Sequence, residues 1–288
     1  MSGDGTLEPV RFSGFPELKE AFLSGDLQAT FILAPMAMVL REQRVPIKIV
    51  YLGHRDGSAL MVHKDSGIHR IQDLKGKSIA VPNRFSNQRL IIFKVLRDRR
   101  MSIDDVSLLE MPPPDMPAAL YTRAVDAIIS GEPFMAKAEM DGYGRVLFLT
   151  KDVWPGFISC VLAVNENAVA KRRSDVQRLV DGIARSGQWL DQDKDSPSEN
   201  RHRMQAADFV GKRYYNQDPK LLRFVLSKPP DRVKYTNLNV RRPDFEEIEK
   251  YARESGIFQG NVVFEDYADP SFVPPDRDIR AYEWEAPK

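Results

Sequence analysis

The chain has 288 residues, 42% of them hydrophobic and 29% charged, with a formal net charge of +1. That length suits two lobes of ordinary domain size better than one compact core, and the near-zero charge excludes a global bias toward nucleic acid or an anionic membrane. No run of about 18 apolar residues offers a membrane-spanning helix. The single cysteine, Cys160, excludes an intrachain disulfide and a cysteine metal cluster, and its apolar surroundings read as those of a buried, inert thiol. The opening MSGDGTLEPV lacks the basic and apolar regions of an export signal.

In chain order, residues 10–13 read as a short strand. A helix over Phe15–Ser24 carries Leu18, Ala21 and Phe22 on one face and stops at Gly25. A buried strand over 26–33, a helix over 36–44 and a strand over 47–52 follow. A polar turn over 53–58 then leads into an extended segment over 59–63. This alternation predicts parallel β-α-β units. Ser78–Val81 and 125–130 are short, aliphatic and bounded by Gly, Pro and Asn, as buried parallel strands are. Ser86 and Asn87 are N-cap candidates for a helix over 89–97. Pro133 suits the first turn of a helix over Phe134–Met140.

Between these lie a strand over 106–111, a stiff connection through Pro112, Pro113, Pro114 and Pro117, and a helix over 118–123. A strand over 145–149, a turn over 153–156 and an apolar extended segment over 157–164 follow. Helices are expected over 175–190, 204–213, 219–226 and 243–255, and the Pro-, Asp- and aromatic-rich tail over 264–288 is expected to wrap the surface.

Ligands of open α/β sheets bind outside the carboxyl ends of strands, where loops and helix N-termini gather unpaired N–H groups. The polar residues placed there are Arg84, Ser86, Asn87 and Gln88 on one turn, and Glu132 and Lys137 on another. Lys137 reads equally as a solvated helix lysine paired with Glu139 or Asp141. Trp154 is a candidate to stack on a ligand or to pack at its rim. His54, His63, His69 and His202 show no metal-ligand spacing, and Asp56 beside His54 and Arg55 lacks a nucleophile, so neither a metal nor a catalytic group is assigned.

Several stretches carry a resemblance: GHRDGSAL at 53–60, LKGKSIAVP at 74–82, MPPPDMPAAL at 111–120, GEPF at 131–134, RPDF at 242–245 and FEDY at 264–267. Over roughly residues 10–270 the chain resembles the substrate-binding proteins of ABC importers in the nitrate, bicarbonate, aliphatic-sulfonate, taurine and thiamine-precursor group. The resemblance implies an α/β fold of bilobal type II periplasmic-binding-protein architecture, with mostly parallel sheets flanked by helices. Lobe I would comprise 1–60 and 156–288 and lobe II 61–155, with crossings at 59–64 and 157–165. The first strand-helix unit of lobe I is missing from the pattern, so the chain reads as N-terminally shortened, with a weakened first lobe.

The implied function is capture of a small polar or anionic molecule of the nitrate, bicarbonate or sulfonate class and its delivery to an ABC permease and ATPase. The resemblance implies no chemical step, no cofactor, a monomer, and a periplasmic or other extracytoplasmic location. By the same likeness Gly57 and Ser58 match a ligand-binding turn, Ser86 and Asn87 a second pair of contacts, and Lys137 a cationic one. Ser58 and Asn87 are shorter and neutral where nitrate-type relatives carry Gln and His, which leaves the ligand unnamed. The competing readings are an enzyme on the same fold (a desulfinase, a pyrimidine-precursor synthase or a menaquinone-pathway enzyme) and a cytosolic ligand-sensing module.

Overall fold

The structure, a computed structural model, describes residues 7–192, 200–211, 213 and 217–275. Its strands are β1 (Ala29–Ile32), β2 (Ile47–Asp56), β3 (Ser58–His63), β4 (Ser78–Val81), β5 (Ser107–Glu110), β6 (Ala127–Gly131), β7 (Gly144–Leu149), β8 (Ile158–Asn165) and β9 (Val233–Lys234). The helices are α1 (Phe15–Ser24), α2 (Ala34–Glu42), α3 (Asn87–Arg97), α4 (Met116–Tyr121), α5 (Phe134–Met140), α6 (Thr150–Val153), α7 (Glu166–Lys171), α8 (Arg173–Asp191), α9 (Arg201–Val210), α10 (Pro219–Ser227), α11 (Arg242–Glu254) and α12 (Phe264–Tyr267).

Local chemistry sets many of these bounds. α1 ends because Gly25 turns left-handed at φ 87° and returns its N–H to Phe22 O. α3 starts because the Ser86 hydroxyl accepts from the Arg89 N–H at 3.1 Å, and its face of Leu90, Ile91, Val95 and Leu96 is buried. Each such aliphatic side chain taken out of water stabilises the fold by about 1.5–3 kcal/mol before cavity and entropy terms.

The strands form two sheets, ordered β1-β8-β2-β9 and β5-β4-β6-β3-β7. The expectation of mostly parallel sheets is corrected: the first sheet is antiparallel and the second mixed. β8 runs antiparallel between β1 and β2, and β9 pairs antiparallel with β2. In the second sheet β4 is parallel to β5 and β6, whereas β3 is antiparallel to β6 and β7. An apolar run records that a strand is buried but not which way its neighbour runs, and β8 returns from far along the chain.

Four local expectations also change. Residues 10–13 form no strand. The buried strand over 26–33 is the short edge strand β1, with Phe31 44% exposed because only β8 flanks it. The polar turn over 53–58 is mostly strand: β2 runs through Asp56, with irregular register opposite Cys160. The segments 59–64 and 157–165 are not crossings but largely β3 and β8 themselves, so the chain passes between the sheets at Gly57 and returns between α6 and β8.

The start of the tail is core rather than wrapping. Phe264, Tyr267 and Phe272 are buried, Asp269 N–H bonds Ile49 O at 2.8 Å, and Ala268 bridges Ile49. The rest of that expectation, over 276–288, lies outside the described residues, as does part of the helix expected over 204–213.

Candidate functional site

The passage between the sheets is a sharp turn with Asp56 at φ 59° and Gly57 at φ 75°. Left-handed backbone is open to glycine and tolerated by Asp. A Cβ at Gly57 would also meet Val233 Cγ2 at 3.0 Å and His54 Cε1 at 3.1 Å. Backbone hydrogen bonds sew distant segments to this turn. Asp56 N–H donates to Phe157 O at 2.7 Å, Gly57 N–H to Arg232 O at 2.8 Å, and Glu132 N–H to Gly57 O at 2.8 Å.

Both predicted turns reach this point. Ser58 lies in register with Gly131, and the Gln88 amide donates to the Ser58 hydroxyl at 3.1 Å. The Asn87 amide donates to Ile158 O, which ties α3 to the return strand. Ser86, Asn87, Gln88 and Ser58 are all buried. Thus Gly57, Ser58, Ser86, Asn87, Gln88 and Glu132 converge on one polar junction between the two sheets.

The remaining three candidates sit elsewhere. The Lys137 ammonium is half-exposed and pairs with Asp141 one turn along α5. Trp154 is buried against Tyr251 and Phe157, with its N–H donated to Glu247 at 2.8 Å. Arg84 is exposed, its guanidinium 4.6 Å from the Phe85 ring centre. It lines a cavity of about 560 Å³ with Val39, Glu42, Arg89 and Ile257, apart from the other eight candidates.

Besides Glu132, the junction holds charges the sequence reading did not assign to a site: Asp56, Lys234, Arg232 and Glu139. Asp56 has no exposed surface, and Lys234 Nζ lies 3.0 Å from its Oδ2. Burial raises its pKa against the pull of Lys234. Glu132 Oε2 accepts from the Ala136 N–H at 2.8 Å, while Oε1 lies 3.2 Å from Arg232 Nε. That separation is an ion-pair distance, yet neither atom is aligned for a hydrogen bond. The attraction is therefore Coulombic, and Arg232 divides it with Glu139, 2.6 Å from Nη2.

Burial pushes the Glu132 carboxyl up to about 7, opposed by Arg232 and the Ala136 N–H. It also pushes His54 down to about 4, so that imidazole is neutral at neutral pH. Gln88 Oε1, Asn87 Oδ1, Asn83 Nδ2, Thr150 Oγ1 and Arg232 Nη1 are buried without a partner in the protein. An unmet buried polar atom costs about 1–3 kcal/mol, so this is where a small polar solute gains most by supplying hydrogen bonds.

Asp56 beside Gly57 carries a local signal, because Asp-Gly favours left-handed turns. Arg232 carries none, as its partners are about one hundred residues away in sequence. Arg55 is structural: it donates to Asn237 O, Gly156 O and Asp244. Among the described residues no group of three His, Cys, Asp or Glu is placed to hold a metal. Cys160 keeps some exposed surface as a residue, but burial of its thiol pushes the pKa up to about 12.

An antiparallel sheet and a mixed one, flanked by helices and linked by two crossings, make the fold that of the periplasmic binding proteins. The chain superposes on the ligand-binding component of an ABC-type import system from Staphylococcus aureus, solved with zinc bound. The TM-score is 0.78 at 23% identity, over 91% of this chain and 85% of that one. It also matches the periplasmic nitrate-binding protein NrtA from Synechocystis, with a TM-score of 0.78 at 13% identity over 91% and 77% of the two chains. The desulfurization enzyme DszB shares the fold more distantly, with a TM-score of 0.57 at 17% identity, over 86% and 84%.

The chain belongs to the NMT1-like family, whose profile matches residues 2–207. It is 24% identical over 192 residues to the nitrate import ATP-binding protein NrtC of Synechocystis, covering 61% of this chain and 28% of that protein. It is 28% identical over 144 residues to a putative aliphatic sulfonates-binding protein of Escherichia coli, covering 48% and 44%. The chain thus spans less than half the length of these curated relatives.

Proposed function

We propose that this chain is the solute-binding part of an ABC importer. It captures a small polar or anionic molecule at the junction and presents it to a permease driven by an ATPase. The observation that carries this is the meeting of both helix-opening turns at Gly57–Ser58, where donors and acceptors are buried without partners. With β3 in the second sheet, the described residues up to 57 and from 156 onward act as one lobe and 58–155 as the other. Contacts shared between lobes favour their closed arrangement, which is the state a permease reads. The relatives' nitrate and sulfonate ligands support that solute class, and their importer context supports an extracytoplasmic location. The protein acts as a monomer without a cofactor, and among the described residues no helix is long and apolar enough to cross a membrane.

An enzyme on this fold needs a nucleophile or a converging acid–base pair. A thiol held near 12 is almost wholly protonated at neutral pH, and His54 is held neutral, which supports binding without turnover. Equilibrium dialysis against nitrate, bicarbonate, taurine and ethanesulfonate, with the solute assayed afterward, tests the reading. Retention of at least one of them chemically unchanged supports it; release of sulfite, or retention of none, overturns it.

A further inference from the structure

The 560 Å³ cavity is lined by none of the junction residues, although its Arg84, Phe85 and Arg89 flank Ser86–Gln88 in the chain. Its volume lies within the range of about 300–1,000 Å³ usual for small-molecule sites. Arg84 and Arg89 come from the second-sheet half, whereas Val39 and Glu42 on α2 and the turn through Ile257 belong with the first sheet. Several other arginines are neutralised by carboxylates: Arg41 by Glu166, Arg55 by Asp244, Arg97 by Glu254, Arg203 by Asp191 and Arg232 by Glu139. Among the described residues, Arg84 and Arg89 are in no ion pair, and Arg89 Nε is buried without a hydrogen-bond partner.

The cavity's one carboxylate is already engaged. Glu42 accepts from Gln259 N–H at 3.1 Å and from Asn261 N–H at 2.8 Å. Two guanidinium groups against one committed carboxylate leave the lining positive, and Val39, Phe85 and Ile257 supply apolar wall. Guanidinium groups match planar or tetrahedral oxyanions through paired N–H donors.

We infer that this cavity is a second binding site, for a small organic oxyanion. Its carboxylate, phosphonate or sulfonate head lies between Arg84 and Arg89, and its apolar body lies against Val39, Phe85 and Ile257. Because the lining comes from both halves, an occupant ties them together, so it and the solute at the junction favour the same closure and strengthen each other's binding.

The test follows arginine Nε–H and glutamine side-chain amide resonances while benzoate, phenylphosphonate, benzenesulfonate or neutral benzamide is titrated. The Arg84 and Arg89 signals are assigned with Arg84→Lys and Arg89→Lys. At least one oxyanion is expected to shift both signals saturably, and benzamide neither. Arg84→Gln, at an exposed position that folding tolerates, weakens binding about tenfold to a hundredfold, as loss of a charge-assisted hydrogen bond requires. No saturable shift with any oxyanion, equal affinity in Arg84→Gln, or shifts confined to the Gln88 amide overturns the inference. The last result would place the anion at the junction instead and leave the proposed function standing.

Discussion

Glu132→Gln removes one ionisable group from the junction and keeps an acceptor for the Ala136 N–H, 2.8 Å away in the parent. In the parent, burial moves the carboxyl from 4.5 to about 7. Between those values the folded chain holds a proton that the unfolded chain has released, so stability falls as pH rises. The displacement is worth about 3 kcal/mol. His54 acts in the opposite sense. Its pKa drops from 6.5 to about 4, the unfolded chain binds the extra proton, and stability rises with pH through that window by a similar amount, about 3 kcal/mol. Where the windows overlap, from 4.5 to 6.5, the two largely cancel in the parent.

The variant uncovers the His54 slope. Urea denaturation of parent and Glu132→Gln at matched pH values gives the difference directly, and groups common to both drop out. The variant should gain about 3 kcal/mol relative to the parent between pH 4.5 and pH 7, while His54→Gln should show stability falling over the same range. A difference profile that is flat, or that slopes the other way, would refute the assignment of a buried, proton-holding Glu132.

Three further outcomes follow from packing and burial. Gly53→Ala drives a Cβ into Cys160 Sγ and places it 3.0 Å from Phe31 Cδ1. It should cost about 1–3 kcal/mol in chemical denaturation, with much of this recovered in Gly53→Ala/Cys160→Ala; a Gly53→Ala chain as stable as the parent contradicts that packing. Arg203→Met removes a guanidinium with no exposed surface that donates to Leu226 O, Pro230 O, Val233 O and Asp191. It leaves Asp191 buried without its cation and should cost about 3–5 kcal/mol, whereas a loss under about 1 kcal/mol contradicts the burial. Native Cys160 should alkylate with iodoacetamide far more slowly at pH 8 than the urea-unfolded chain, and equal rates contradict its raised pKa.

What the sequence made legible was local. Gly25 ended α1, Ser86 capped α3, and the aliphatic run Ser78–Val81 became β4, because caps, turns and burial leave marks within a few residues. Strand direction leaves no such mark: the strand–helix alternation pointed to a parallel first sheet, and β8, inserted antiparallel between β1 and β2, is why that sheet is not parallel. The same divide runs through the site. Gln88 and Glu132 were read from the turns that carry them, but their meeting at Ser58 and Gly57 is set by tertiary structure. Asp56 was read as part of a polar turn because His54-Arg55-Asp56 is a charged stretch, yet it ends a strand whose charges are buried beside Lys234 and Asp244.

The claim on which the account rests is that Gly57–Ser58 and Gln88 hold a small solute between the two halves. Thermal unfolding of the parent and of Gln88→Leu, each with rising nitrate, bicarbonate, taurine or ethanesulfonate, tests it most directly. At least one solute should raise the parent's Tm progressively, reaching about 2.7 kcal/mol of added stability at a hundred times its Kd, and should leave folded Gln88→Leu unmoved. A parent indifferent to all of them, or a variant that responds equally, would contradict it.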